Sequence, residues 1–275
     1  MATGPVRYVV RYVLTRLLNS STFKRRIWTR WYRYLEQTVG EQPIWFLNYG
    51  FLTASSASID LRPEDEANRA SIQLYDLVTR PLDLSGLDVL EVSSGRGGGA
   101  RFLNAYRKPK LMIGLDRTEQ AVAYCRRQHS ESGLHFICGD AQQLPFPAAS
   151  FHAVVNVEAS HCYPDVPQFF REVHRVLRSG GHFLYADMRK LPTLDSLRQE
   201  LHESGLKKLE EEDITPDVVR ALEQSNDRVS ELINRSAPRL MRRFFSYFAA
   251  TKGTGVYTQL RSGAVRYVRY VLQKD

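Results

Sequence analysis

Short apolar runs alternate with amphipathic segments through the middle of the chain. The apolar runs predict five buried strands, at residues 87–92, 111–116, 134–140, 152–159 and 182–188. Helical spacing between them predicts helices from about residue 100, over 118–129 and over 167–181, the last ended by two glycines. Because strands that alternate with helices pair in parallel and are covered on both faces, this pattern predicts an α/β fold.

The pattern changes on both sides of this region. Before it, residues 61–78 form a polar stretch that leads into a predicted helix, and residues 23–35 predict another helix. After it, residues 190–250 have mainly helical spacing and predict a lid inserted into the domain. In two further stretches, 255–260 and 264–273, apolar and polar side chains alternate. These stretches predict the last two strands and bring the number of strands to seven.

The net charge of +8 is concentrated at the amino end. Residues 1–35 contain eight basic and no acidic side chains, so the rest of the chain is balanced, which argues against a nucleic-acid-binding surface. Residues 1–20 have the spacing of a basic amphipathic helix. Its arginines exclude a membrane-spanning helix and a secretory signal. Three interpretations remain: a helix packed on the domain, a membrane-surface anchor, or a mitochondrial transit segment.

Glycines and carboxylates lie at the ends of the first three predicted strands. Glu91 lies in the first strand, which runs into the glycine-rich turn "SSGRGGG". Asp116 ends the second strand and Asp140 the third. Glycines let the backbone approach a ligand closely, and a carboxylate after the second strand suits the hydroxyls of a ribose. Each feature has a simpler interpretation, because the glycines also suit an ordinary turn and the aspartates a helix cap or a turn.

The combination of these motifs resembles the class I S-adenosylmethionine-dependent methyltransferases. The stretches "EVSSGRGGGA", "DEANRASIQLYD", "GDAQQLPFPAASFHAVVNVEASHCYPD" and "EVHRVLRSGGHFLYADMR" are similar, more specifically, to the mycobacterial phthiotriolone/phenolphthiotriolone dimycocerosates methyltransferases. Those enzymes O-methylate a hydroxyl on a long lipid chain. The resemblance implies a Rossmann-like sheet of seven strands, the last antiparallel, with helical N-terminal and 190–250 lid elements. The methyltransferase domain would span residues 21–275, with residues 1–20 outside it.

The resemblance also implies a cofactor, S-adenosyl-L-methionine, and the residues that bind it. In this family the glycine turn contacts the methionine part, the second-strand carboxylate the ribose and the third-strand carboxylate the adenine. Ser93 departs from the commonest glycine pattern. Tyr49, in "LNYGF", is an additional candidate for a cofactor contact. The expected cofactor-binding residues are Tyr49, Glu91, Ser93, Gly95, Gly97, Asp116, Arg117, Asp140, Ala141 and Asn156.

His161 and Asp187 are the expected catalytic residues. His161 lies in "VEASHCYPD" after the fourth strand, where family members face the transferred methyl group, and Asp187 ends the fifth strand. A histidine can take the proton of a hydroxyl acceptor at neutral pH, and a neighbouring aspartate can orient it. The simpler interpretation is a strand-end histidine bonded to the backbone. No third ligand accompanies the pair, so no metal is expected.

We therefore expect an O-methyltransferase that acts on a hydroxyl of a hydrophobic small molecule such as a lipid or polyketide. A C- or N-methyltransferase for a prenyl, sterol or amine acceptor, and a non-catalytic cofactor-binding protein, remain alternatives. The three cysteines have neither disulfide nor metal-binding spacing and favour a reducing compartment. We expect a cytoplasmic location with peripheral membrane contact through residues 1–35; the transit interpretation would place the protein in mitochondria.

Overall fold

A computed structural model describes residues 44–53 and 59–275. The predicted amphipathic helix at 1–20 and the predicted helix at 23–35 lie outside the described residues. The strands are β1 (Asp88–Val92), β2 (Leu111–Asp116), β3 (Leu134–Cys138), β4 (Phe151–Val157), β5 (Leu177–Lys190), β6 (Leu206–Asp213) and β7 (Val265–Lys274). The helices are α1 (Arg69–Thr79), α2 (Gly98–Phe102), α3 (Glu119–Gln128), α4 (Val166–Val176), α5 (Leu194–Glu203), α6 (Thr215–Ser236), α7 (Arg242–Phe248) and α8 (Gly255–Ser262).

The strands form one sheet of seven in the order β3-β2-β1-β4-β5-β7-β6. Strands β1 to β5 pair in parallel, whereas β7 is antiparallel to both β5 and β6. Successive residues of β1 point to opposite faces, so that Val89 joins one buried cluster and Leu90 the other. The predicted Rossmann-like sheet of seven strands with an antiparallel last strand is confirmed.

The sixth strand is not where the sequence pattern predicted it. Residues 255–260 belong to helix α8, because Thr254 caps its first turn and Tyr257 and Leu260 bury one face. The sixth strand is instead β6, inside the region predicted to be helical. Its sequence "LKKLEEED" has almost no apolar face, because β6 is an edge strand held by pairing with β7.

The glycine pair that was expected to end a helix lies within β5. Helix α4 ends at Val176, and the chain is already extended at Leu177. The register of β5 against β4 shifts between the pairs Phe151–Leu177 and Ala153–His182. Gly180 has a φ of +73°, so the two glycines accommodate a bulge in a continuing strand rather than a helix end.

Candidate active site

The predicted site residues gather at the carboxyl ends of the parallel strands. Because β1 lies between β2 and β4, the strand order reverses between β1 and β4. Ligands of open α/β sheets bind in the crevice at such a reversal. The loop after β1, the turn after β4 and the last part of β5 therefore border one crevice.

Most glycines of the turn after β1 are required by contacts within the protein. A Cβ atom at Gly97 would lie 2.7 Å from the His129 ring, and one at Gly98 would lie 2.7 Å from the Trp45 carbonyl oxygen. Gly95 differs, since its nearest neighbour would be a Leu47 methyl group at 3.7 Å, an ordinary contact. Gly95 also has a φ of +54°. Of these three glycines, Gly95 therefore leaves the most room for a ligand.

Residues 44–49, which we call the strap, cross this glycine turn. Arg96 Nε donates to the Ile44 carbonyl oxygen at 2.6 Å, and the Gly98 N–H donates to the Trp45 carbonyl oxygen at 3.1 Å. The Arg101 guanidinium lies 4.6 Å from the Trp45 ring centroid. The strap and the glycine turn consequently form one packed unit.

The two predicted nucleoside-binding carboxylates both have partners within the protein. Asp116 Oδ2 accepts from the Gly95 N–H at 2.9 Å, and its Oδ1 accepts from the N–H and hydroxyl of Thr118. Asp140 Oδ1 accepts from the Gln142 N–H at 2.9 Å, and its Oδ2 lies 3.7 Å from an Arg117 nitrogen. Each carboxylate oxygen can accept a second hydrogen bond, so these contacts are compatible with ligand hydroxyl or amino groups.

Glu91 lies behind the glycine turn rather than facing the crevice. Its Oε1 accepts from the Tyr75 hydroxyl at 2.5 Å, and the side chain is fully buried. Burial raises the pKa of Glu91 to about 8, although the hydrogen bonds from Tyr75 and the Ala100 backbone oppose the shift. Glu91 therefore supports the turn from inside.

Ser93 and Asn156 meet through the hydroxyl of Tyr163. Ser93 Oγ and the Tyr163 hydroxyl are 2.5 Å apart, and Asn156 Nδ2 donates to that hydroxyl and to the Val92 carbonyl oxygen. Ser93 has a φ of +62°, the left-handed conformation that usually favours glycine. The structure thus places fully buried Asn156 behind the turn, where it holds the strained Ser93 in position. Ala141 follows Asp140 and is also buried.

Several features of this crevice fit S-adenosylmethionine. Gly95 leaves space above the turn, and Asp116 and Asp140 supply acceptor oxygens at its edge. The cofactor roles of the individual residues remain predictions.

Asp187 is a fully buried carboxylate surrounded by donors. Its Oδ1 accepts from His161 Nδ1 at 2.7 Å and from the Met188 N–H at 2.8 Å. Its Oδ2 accepts from the His161 N–H and the Ser160 hydroxyl, and lies 3.0 Å from Arg189 Nη1. Burial alone would raise the pKa of Asp187, but the charges of His161 and Arg189 and these hydrogen bonds lower it well below its usual range.

His161 is held by two hydrogen bonds to this carboxylate. It lies in the short turn Ser160–Cys162, and its Nδ1 donates to Asp187, which leaves Nε2 as the acceptor of the neutral ring. Burial alone would lower the pKa of His161, whereas the Cys162 thiol and the Asp187 carboxylate raise it, and the result is a pKa well above 6.5. The structure therefore brings together the two residues predicted to be catalytic.

Two charged residues near this pair were not identified from the sequence. Arg189 lies two positions after Asp187 in β5, and the alternation of a strand places both on one face, so a signal was present. Glu158 Oε2 accepts from the Tyr49 N–H at 2.9 Å and from the Tyr267 hydroxyl at 3.0 Å. Burial raises the pKa of Glu158 to about 8. Its φ of +52° and its distant partners could not be inferred from the sequence.

Tyr49 connects an apolar cavity with Glu158, His161 and Asp187, which together we call the catalytic rim after the predicted role of the last two. Its N–H binds Glu158, and its hydroxyl donates to the Phe248 carbonyl oxygen of α7 at 3.2 Å. The cavity has a volume of about 190 Å³ and lies between the strap and helices α6 and α7. Its walls include the apolar side chains of Phe46, Leu47, Leu222, Val229, Ile233 and Phe245. An apolar ligand that passes Tyr49 would therefore lie close to the catalytic rim.

The chain matches a known family over its central part and known enzymes over almost all of its length. The family described as "Methyltransferase domain" matches residues 90–185. A phthiotriol/phenolphthiotriol dimycocerosates methyltransferase of Mycobacterium leprae is 36% identical over 94% of this chain and 95% of its own length. The chain belongs to this methyltransferase family. The methyl donor of the class I methyltransferases, S-adenosylmethionine, is thus the cofactor of this enzyme.

Another relative and a solved structure extend the comparison. A fatty-acid O-methyltransferase of Mycolicibacterium smegmatis is 39% identical over 88% of this methyltransferase and 88% of its own length. A cyclopropane synthase from Mycobacterium tuberculosis has 18% identity and a TM-score of 0.61, and the match covers 86% of this chain and 98% of that one. At this identity the structural likeness establishes the fold alone.

The described residues contain neither a membrane-spanning helix nor a metal-binding cluster. Over 44–53 and 59–275, none of the helices has the length and apolar character needed to cross a bilayer. In the same ranges, no group of three or more histidine, cysteine, aspartate or glutamate side chains is arranged to hold a metal ion.

Replacing Gly99 with alanine should destabilise the methyltransferase by about 1–3 kcal/mol, the usual cost of overpacking a core. A Cβ atom there would overlap the Tyr75 ring and the Glu91 carboxyl. Gly255→Ala is the matched control, because its Cβ would have no contact closer than 3.6 Å. Urea unfolding of both variants measures the difference. Equal stability of the two would contradict the packing explanation.

Replacing His161 with glutamine should change how stability depends on pH. The raised pKa of His161 means that its charged form stabilises the fold fully below about pH 6.5, and that this contribution is lost as pH rises through the raised value. The pKa of Asp187 is lowered. Its charged form therefore stabilises the fold above about pH 3.9, and this stabilisation is lost as pH falls through the lowered pKa.

We therefore expect His161→Gln to be less stable than the wild type by about 1.5–3 kcal/mol between about pH 4 and pH 6.5. The difference should shrink at higher pH, as His161 loses its proton in the wild type. Urea unfolding across this pH range provides the measurement. A difference that stays constant from acid to alkaline pH would show that the charge of His161 does not contribute.

Proposed function

We propose that this methyltransferase transfers the methyl group to a hydroxyl oxygen of a hydrophobic, lipid-like acceptor. The observation that carries the proposal is the contact between His161 Nδ1 and the buried Asp187 carboxylate at the rim of the crevice. Similarity to enzymes named for dimycocerosates and fatty acids supports a lipid-like acceptor. The apolar cavity beside Tyr49 supports it independently, since most of its lining residues are hydrophobic.

In this mechanism His161 Nε2 accepts the proton of the acceptor hydroxyl. When bound, S-adenosylmethionine supplies an electrophilic methyl group on a sulfonium. Asp187 holds the ring in the tautomer that exposes Nε2 and stabilises the imidazolium that forms. Arg189 and Ser160 fix the carboxylate, so that the ring does not turn away. The strap and helices α6 and α7 exclude water from the acceptor.

A fatty-acid carboxylate is a second candidate acceptor. A carboxylate is already deprotonated at neutral pH and needs no base. The raised pKa of His161 favours this candidate, because an imidazolium would pair with the acceptor carboxylate. The name of the 39% identical relative also points to it. Amine, prenyl and sterol acceptors have no comparable supporting observation.

His161→Gln should separate these acceptors. With a long-chain alcohol we expect turnover to fall by about 10²–10⁴-fold, the usual contribution of general base catalysis. With the fatty acid of equal chain length we expect a much smaller loss, because no proton is removed. Methyl transfer from labelled cofactor measures both reactions.

His182→Gln is the matched control, because His182 lies in the same strand as Asp187 but five residues before it, away from the carboxyl end. Its turnover should equal that of the wild type with both acceptors. Near-normal turnover of His161→Gln on the alcohol would reject His161 as the base.

We also propose that residues 1–35 contact a membrane surface and that the enzyme works in the cytoplasm. The support is the charge of this segment, which has eight basic and no acidic residues. The relatives named above come from bacteria, which favours a surface anchor over a mitochondrial transit segment.

Deleting residues 1–20 should weaken binding to anionic vesicles, since it removes three arginines and the predicted apolar face. Co-sedimentation with vesicles measures the effect, and thermal unfolding checks that the domain remains folded. Vesicle binding equal to that of the full chain would reject this contact.

A further inference from the structure

The turn and helix at residues 239–248 expose large apolar side chains to solvent. Leu240 is 97% exposed and Tyr247 is 52% exposed. On the opposite side of helix α7, Phe245 and Phe248 line the apolar cavity. The same short segment therefore forms a wall of the cavity and an apolar outer surface.

This outer surface is also basic. The sequence contains no aspartate or glutamate from residue 232 to residue 274. Arg239, Arg243 and Lys252 are exposed, and the part of the chain that the structure describes shows no ion pair for Arg239 or Arg243. Exposed leucine and tyrosine among unneutralised arginines suit a segment that lies in a membrane interface.

Charge indicates what covers this surface. An anionic bilayer attracts the arginines, accepts the Leu240 side chain among its acyl chains, and suits a tyrosine at the headgroup level. Leu232 is 38% exposed and also lines the cavity, so the cavity opens beside this surface.

We propose that the segment Arg239–Tyr247, which we call the docking surface, binds an anionic lipid bilayer with the cavity mouth facing the membrane. The proposal goes beyond the proposed methyl transfer and does not depend on it, since vesicle binding requires no reaction. It also concerns a different segment from residues 1–35. The two contacts are therefore tested separately.

The test is co-sedimentation of the full chain with phosphatidylcholine vesicles that contain or lack phosphatidylglycerol. Leu240→Asp should weaken binding to the anionic vesicles about tenfold, because a charge replaces an inserted apolar side chain. Leu209→Asp is the matched control, because Leu209 is 44% exposed but lies on edge strand β6. Its binding should equal that of the wild type.

A second pair of variants tests the charge. Arg243→Glu should weaken binding about tenfold at low salt and much less at high salt, because salt screens exposed charges. Arg80→Glu makes the same change after α1, at the amino ends of the strands, and should have little effect. The Leu240→Asp effect should persist at high salt.

Two outcomes would overturn the proposal. The first is wild-type binding by Leu240→Asp, and the second is equal binding of the wild type to neutral and anionic vesicles. A lower melting temperature of Leu240→Asp together with the first outcome would show that protein rather than lipid covers the leucine. Release of S-adenosylhomocysteine with a short, water-soluble acceptor should be unchanged in all four variants.

Discussion

The buried carboxylate of Asp187 is the group on which the arrangement of the catalytic rim depends. A charge removed from water is tolerated only if it is paired and hydrogen-bonded, and this one receives contacts from His161, Ser160, Arg189 and Met188. Those contacts fix the turn after β4 against β5 and orient the imidazole. Together with Cys162, the same charge raises the pKa of His161, so Asp187 affects both the orientation and the protonation state of the ring.

The strap links the crevice at the glycine turn to the apolar cavity. Its Ile44 and Trp45 carbonyl groups bind the glycine turn, and the Tyr49 N–H binds Glu158 at the rim. The Tyr49 hydroxyl reaches Phe248 of the lid helix. One short segment therefore contacts the glycine turn, Glu158 and helix α7. The strap also explains one glycine of the turn, because a Cβ atom at Gly98 would lie 2.7 Å from the Trp45 carbonyl oxygen.

Much of the fold could be predicted, because buried parallel strands and amphipathic helices have distinct periodicities. Strand β6 could not, since an exposed edge strand of charged residues has no apolar alternation and forms through its pairing with β7. The pairing of His161 with Asp187 was predictable from two adjacent strand ends. The position of Glu158 was not predictable. Its partners Tyr49 and Tyr267 are remote in sequence, and a positive φ angle at a glutamate has no sequence signature.

The central claim is that the buried Asp187 carboxylate orients the His161 ring and raises its pKa. An NMR titration of the His161 ring in the full-length enzyme tests this most directly, with His161→Gln used to assign its signals. The account predicts a pKa above about 6.5 in the wild type and a clearly lower value in Asp187→Asn, where burial acts without the carboxylate charge. A His161 pKa at or below about 6.5 that is unchanged in Asp187→Asn would contradict it.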